Sequence, residues 1–231
     1  MEVLADIPFE ADAEAILEEL RLPPDSSYAE EVREALARGL AVARPKAAYR
    51  VAYIEEKTEQ SVRLDGVVFT SRVLRVNLEE AQRVFAYVAT CGRELADYAE
   101  SLDDPLSRFA LDTLMRRAVG VASGAVRKTI VERFALGKFA AMSPGSLADW
   151  PVEQQRALFA LMGDVRSAIG VELTDSCLMV PVKSVSGILF PTEVRFESCQ
   201  LCPREGCEGR RAPYEPSLWQ KRYDIPAPPR Y

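Results

Sequence analysis

Three thiols crowd into one short segment, Cys199-Gln-Leu-Cys202-Pro-Arg-Glu-Gly-Cys207, and their type and spacing suggest chemistry most directly. A C-x2-C-x4-C arrangement lets three thiolates converge on one soft cation. The two-residue gap folds both sulfurs to the same side of a turn, and Gly206 frees the approach of the third. Arg204, Arg210 and Arg211 can offset the accumulated negative charge. The segment supplies three ligands, so a fourth would be Cys91, Cys177, a carboxylate or an exogenous group, on zinc or on an iron–sulfur cluster. The alternative is three reduced thiols that simply pack. Cys177, in an apolar run with Leu178, Met179 and Val180, reads as core before ligand, and Cys91 beside Gly92 as structural first. Elsewhere, Ser184-Val185-Ser186-Gly187 offers hydroxyls and backbone amides to a polar pocket. Trp150 and Trp219 can stack on a planar ligand or anchor a loop. Arg116-Arg117, Arg127-Lys128 and Lys221-Arg222 read as solvated charges.

Composition narrows the chemistry further. The chain has no histidine, which excludes Ser-His-Asp and Cys-His catalysis, His-ligated zinc and a histidine axial ligand to haem or cobalt from within the chain. Any acid/base or nucleophilic role falls to Asp, Glu, Lys, Tyr, Ser or Cys; no catalytic residue stands out. With 29 Lys plus Arg against 35 Asp plus Glu, the net charge of −6 speaks against a nucleic-acid binder. No apolar run approaches the ~18 residues that span a bilayer, and the acidic opening Met1-Glu2-Val3-Leu4-Ala5-Asp6 is unlike a signal peptide. The chain therefore reads as cytoplasmic, with no membrane partner. In a reducing compartment, an odd count of five cysteines favours metal or redox chemistry over a disulfide framework.

The elements that must position these residues follow from periodicity. The 231 residues, 48% of them hydrophobic, suffice for a substantial core. A short helix through Ala13, Ile16, Leu17 and Leu20 ends at Pro23-Pro24, and a second starts with the capping box Ser27-x-x-Glu30 and carries Val32, Leu36, Leu40 and Ala43. Residues 48–56 and 61–76 read as strands, with Asp65-Gly66 as a hairpin turn. Asn77 is placed to cap a short helix over Leu78–Arg83, followed by a buried strand Val84–Thr90 ending at Cys91-Gly92. From Pro105 to about Phe134 runs a central helix, roughly 45 Å long, with Leu106, Ala110, Leu114, Ala118, Ala122, Val126 and Ile130 on one stripe and Gly120 and Gly124 permitting close packing. Ser143-Pro144-Gly145-Ser146 suits a type II turn, and Asp149 and Pro151 start a helix over Val152–Met162. Residues 171–190 read as two strands joined around Pro181–Ser186. Residues 199–231, with three of five cysteines and six of fifteen prolines, read as a loop-rich extension without regular structure.

Three stretches together resemble the activation (reactivation) domain of vitamin B12-dependent methionine synthase. They are Val84–Gly92; Ser143-Pro144-Gly145 with Asp149-Trp150-Pro151 and Gln155-x-x-Leu158-Phe159; and Gly170–Ser176 leading to Ser184-Val185-Ser186-Gly187. Order and spacing match over most of residues 80–190, most closely in the last fifty, and the chain looks like a stand-alone member of the family. The resemblance implies an α+β fold: a twisted antiparallel sheet packed with helices, here with one long central helix. On that reading residues 1–195 form the domain, and 196–231 are a Cys/Pro-rich extension packed on it. It also implies a cofactor-binding strip at Pro144, Gly145, Ser146, Ser184, Ser186 and Gly187, with Cys199, Cys202 and Cys207 as an added metal motif. The family's Arg-x-x-x-Gly-Tyr motif has Ala141 and Ser146 in place of its arginine and tyrosine, and a further tyrosine position is Leu189.

Two functions are compatible with this resemblance. One is an activator of a corrinoid (vitamin B12) protein by reductive methylation, with S-adenosylmethionine as methyl donor. Its partner would be a corrinoid-binding protein or a methionine synthase lacking its own activation domain, together with an electron donor. The other is a non-methylating partner of a corrinoid protein, carrying a Cys-bound zinc or iron–sulfur centre for electron transfer or structure.

Overall fold

The computed structural model describes residues 1–228. It opens with strand β1 (Glu2–Leu4) and helices α1 (Ala13–Glu19) and α2 (Ser27–Val42). Ser26, not Ser27, caps α2: its side chain accepts from the Ala29 amide at 3.2 Å, which moves the cap one residue upstream of the expected box. Then come β2 (Lys46–Lys57), β3 (Ser61–Leu64), β4 (Val67–Thr70), α3 (Arg72–Asn77) and β5 (Arg83–Thr90). The Asp65-Gly66 hairpin forms as expected. The run expected as strand to residue 76 instead turns helical at Ser71, whose hydroxyl accepts from the Leu74 amide at 2.9 Å. Asn77 is therefore the last residue of a helix rather than the cap of the next, and its buried side chain accepts from Tyr223 Oη and Arg222.

Helices α4 (Arg93–Glu100) and α5 (Pro105–Arg133) follow. Asp104 caps α5 by accepting from the Ser107 amide at 2.7 Å, and Pro105 supplies the fixed φ of a first helical residue. The predicted stripe of α5 is buried from Ala110 to Ile130, while Leu106 in the first turn is only partly buried. Gly120 and Gly124, however, face open space, with nothing within 4 Å of a Cβ built on either, so close packing does not explain them. The remaining elements are β6 (Phe139–Met142), a 3-10 turn over Val152–Gln154, α6 (Gln155–Met162), α7 (Val165–Ile169), β7 (Glu172–Leu173), β8 (Met179–Val180), β9 (Ser184–Pro191), a 3-10 turn over Ser198–Gln200, and α8 (Ser217–Tyr223).

Two corrections fall here. The first expected strand of 171–190 is a two-residue hairpin, because Thr174 closes a turn on Leu178 through both its backbone and its hydroxyl. The extension is also not wholly irregular. Trp219 and Tyr223, one helical turn apart, bury one face of α8 and override the surrounding prolines.

All strand pairs are antiparallel. The seven-stranded sheet runs β4-β3-β2-β5-β9-β6, with β1 also on β2, and β7-β8 stand apart. This is an α+β architecture. On one face the C-terminal half of α5 lays Ala122, Val126 and Ile130 on Tyr49, Phe85, Tyr87 and Leu189, while its N-terminal half packs against α1, α2 and α4. On the other face Val84, Ala86, Val88 and Ile188 meet Leu74, Leu158, Val165, Trp219 and Tyr223, so the extension shares the main core. Among the described residues no helix is long and apolar enough to cross a membrane.

The chain leaves β5 through Gly92, where φ is +93° and a Cβ would lie 2.2 Å from the Arg44 carbonyl oxygen. Both the left-handed backbone and the close approach exclude a larger residue. Gly92→Ala is expected to cost about 2–4 kcal/mol in urea unfolding. A loss under about 1 kcal/mol would contradict the packing seen there.

Candidate ligand site beside the Ser143 turn

The site is set by the end of β6. Ala141 pairs with Leu189 and Met142 with Ile188, which carries the chain out of the sheet at Ser143 directly beside Gly187. Gly187 has to be glycine: a Cβ there would lie 2.7 Å from Met142 O, 2.8 Å from Ser143 Oγ and 3.2 Å from the Tyr87 ring. The expected turn is present. Ser146 donates from its backbone to Ser143 O at 3.2 Å, and Gly145 has φ of +84°. Two residues hold it down. Trp150 is fully buried against Phe69, ring centroids 6.2 Å apart, while the Asp149 carboxylate accepts from Ser71 Oγ and the Val73 amide. Both tryptophans serve as anchors, Trp219 by donating to Leu201 O at 3.2 Å.

Strand alternation divides the expected strip. Gly187 and Leu189 face α5, whereas Ser184 and Ser186 face the other core. Their hydroxyls are consumed there. Ser184 donates to Pro181 O at 2.7 Å and pairs with the Thr90 hydroxyl at 2.9 Å, and Ser186 donates to Gln155 Oε1 at 3.1 Å. The structure thus gathers the turn and Gly187 but places both serine hydroxyls in the interior.

Beside the turn, on the α5 face, lies a cavity of about 150 Å³ with Ala141, Ser143 and Ser146 on one side and Ser198, Cys199 and Cys202 of the extension on the other. Two arginines complete its wall. Arg127, expected as a solvated helix charge, is half-buried: its guanidinium lies 5.7 Å from the Tyr87 ring centroid and donates to Tyr87 Oη at 3.0 Å, while its Nε is buried without a partner. Its position next to Val126 on the buried stripe is the signal that could have found it. Arg211 reaches the cavity from the extension, with its Nε held by Glu197 at 3.1 Å. A second cavity of about 390 Å³, bounded by Gly145, Pro151, Pro203 and Arg204, shares Ser146 and Cys202 with the first.

The cysteine segment is organised about Arg210, whose guanidinium donates to the carbonyls of Cys199 at 3.0 Å, Cys202 at 3.3 Å, Ala212 at 3.4 Å and also Arg204. Cys199 Sγ accepts from the Arg211 amide at 3.4 Å. Among the described residues no three His, Cys, Asp or Glu side chains are gathered as a metal-holding group, so the expected convergence of Cys199, Cys202 and Cys207 is not formed. Cys91 and Cys177, weighed as a fourth ligand, are buried elsewhere: Cys91 among α2, α4 and α5, and Cys177 in the turn after β7.

Burial pushes the Cys91 thiol up to about 12, with a weaker opposing effect from Thr90. Its reactive thiolate is therefore a minor species at pH 8.5 in the folded protein. Iodoacetamide on native protein at pH 8.5 is expected to label Cys199, Cys202 and Cys207 and to spare Cys91 and Cys177, with all five labelled in guanidinium. Peptide mass spectrometry reads the pattern, and rapid native labelling of Cys91 would contradict the burial described.

No curated protein matches the chain. Residues 139–204, from β6 through the first two cysteines of the segment, match the family model described as vitamin B12 dependent methionine synthase, activation domain. Among solved structures, the crystal structure of the MetH reactivation domain bound to AdoHcy superposes with a TM-score of 0.56 at 15% identity, covering 82% of this chain and 73% of that one. The resemblance to the methionine synthase activation domain is thus shown by sequence over residues 139–204 and by fold over most of the chain.

Proposed function

We propose that this chain activates a corrinoid-carrying partner by reductive methylation, with S-adenosylmethionine as the methyl donor. The observation that carries the reading is the coincidence of three things in one place. The segment matched by the family model contains the Ser143–Ser146 turn, that turn is pressed against Gly187, and a cavity opens beside it. The structural neighbour holds AdoHcy, which is what remains when adenosylmethionine gives up its methyl group.

The residues present suit such a ligand. Ser143 and Ser146 place hydroxyl oxygens on the cavity wall, and Arg127 adds a guanidinium beside them. When bound, adenosylmethionine supplies a methyl group on a sulfonium centre, and the chain's own residues orient it. With no histidine in the sequence, an imidazole ligand to cobalt has to come from the partner, and so does the corrinoid. An electron donor is also required, because the corrinoid must be reduced before it accepts a methyl group.

The test is a calorimetric titration of anaerobically purified full-length chain with S-adenosylmethionine, paired with methylation of a reduced corrinoid protein that lacks its own activation domain. Binding in the micromolar range, about −8 kcal/mol, with methyl transfer to the corrinoid is expected. No heat up to millimolar ligand, together with no methylation, would sink the proposal.

A further inference from the structure

We propose that the cavity between Arg127 and Arg211 is an oxyanion site, completed by the chain's own C-terminal extension, that takes a carboxylate or phosphate group. The inference deepens the function proposed above where that oxyanion is the carboxylate of adenosylmethionine. As an anion site it also stands apart from that reading.

Charge and burial carry the argument. Arg127 has no carboxylate partner among the described residues: its contacts are the face and hydroxyl of Tyr87, and its Nε is closed off from solvent without an acceptor. A half-buried guanidinium with no carboxylate partner favours an anion, and its Nη1, which makes no hydrogen bond among the described residues and is not closed off as Nε is, is the donor left to meet one in the adjoining cavity. The opposite wall is also cationic. Glu197 occupies only the Nε of Arg211, leaving its two terminal nitrogens for a ligand, so two guanidinium groups face the space against one carboxylate. Between them Ala141 ends at its Cβ, and Ser143 and Ser198 line the remaining polar rim.

Size fixes what can enter. About 150 Å³ admits a carboxylate or a phosphate with a few further atoms, not a nucleoside. The larger part of a longer ligand would have to cross Ser146 and Cys202 into the 390 Å³ cavity, whose walls include Pro151, Leu201 and Pro203. The extension builds one side of both spaces, so it acts as a wall of the site rather than as an appendage.

The experiment titrates the full chain with three probes: S-adenosylmethionine, its decarboxylated analogue and inorganic phosphate. Wild type is compared with Arg127→Gln, Arg127→Lys and Arg211→Ser. Arg127→Gln is expected to weaken adenosylmethionine roughly ten- to a hundred-fold, Arg211→Ser about three- to ten-fold, and Arg127→Lys to recover part of the loss. The decarboxylated analogue should bind wild type correspondingly weakly and be indifferent to Arg127→Gln.

If phosphate binds in an Arg127-dependent way and adenosylmethionine does not bind, the oxyanion site holds and the methyl-donor reading falls. If adenosylmethionine binds all variants within two-fold of wild type, or both adenosyl ligands lose affinity equally, the oxyanion site is overturned while the methyl-donor reading survives. No binding of any probe overturns both. Should Arg127→Gln fail to fold, Arg211→Ser, exposed in the extension, carries the comparison alone.

Discussion

The absence of a side chain at Gly187 is the constraint on which the site depends. β9 lies between β5 and β6, and the end of β6 bends across it so closely that Met142 O and Ser143 Oγ occupy the space a Cβ would need. Because Gly187 also pairs with Tyr87, the turn is brought within reach of that tyrosine, and Tyr87 in turn holds the Arg127 guanidinium by its hydroxyl and by its face. One missing methyl group thus links an edge strand, a central strand and the long helix at a single point. Each partner is rigid for its own reasons: Trp150 is buried beneath the turn, and Val126 and Ile130 fix the rotation of α5 on the sheet.

The extension belongs to the same arrangement. Leu201, Trp219 and Tyr223 are fully or almost fully buried, and at about 1.5–3 kcal/mol per large side chain their burial outweighs the cost of ordering a proline-rich segment of this length only in combination with its hydrogen bonds. Those bonds reach the core. Tyr223 Oη and Arg222 both donate to Asn77, Arg72 donates to Tyr223 O, and Phe196 meets the Tyr223 ring edge-on. Once the two ends of the segment are anchored at Leu201 and α8, the intervening loop has little freedom, and Arg210 gathers four of its carbonyls. Cys199 and Cys202 end up beside the Ser143 turn as a consequence of that anchoring.

What could be read from the sequence was what depends on neighbours along the chain. The α5 stripe, the Asp65-Gly66 hairpin, the β5 strand and the Ser143–Ser146 turn rest on local periodicity or on turn chemistry. What could not be read depends on distant contacts. The helix at Arg72 needs Ser71 and the Asp149 carboxylate from 78 residues away. Asn77 looked like a cap because Asn favours caps, yet its acceptor is spent on residues 145 and 146 positions further on. Gly120 and Gly124 suggested packing, and they face open space.

The candidate site was legible by half for a related reason. A motif read as a string treats Ser184, Ser186 and Gly187 as one patch, but in a strand neighbouring residues point to opposite faces. The resemblance pointed to a turn that borders the cavity and to the strand it lies against, without saying which side chains reach that space. Arg127 was hidden twice over: its neighbour Lys128 is an ordinary exposed charge paired with Glu132, and the partner that removes Arg127 from solvent is Tyr87, forty residues away. Ala141 takes its meaning from the same geometry. The chain has a methyl group here, and the cavity that this small side chain lines is met by guanidinium groups from α5 and from the extension. Arg127 and Arg211 make the cavity cationic although no charge stands on the strand itself, which the strand sequence alone does not suggest.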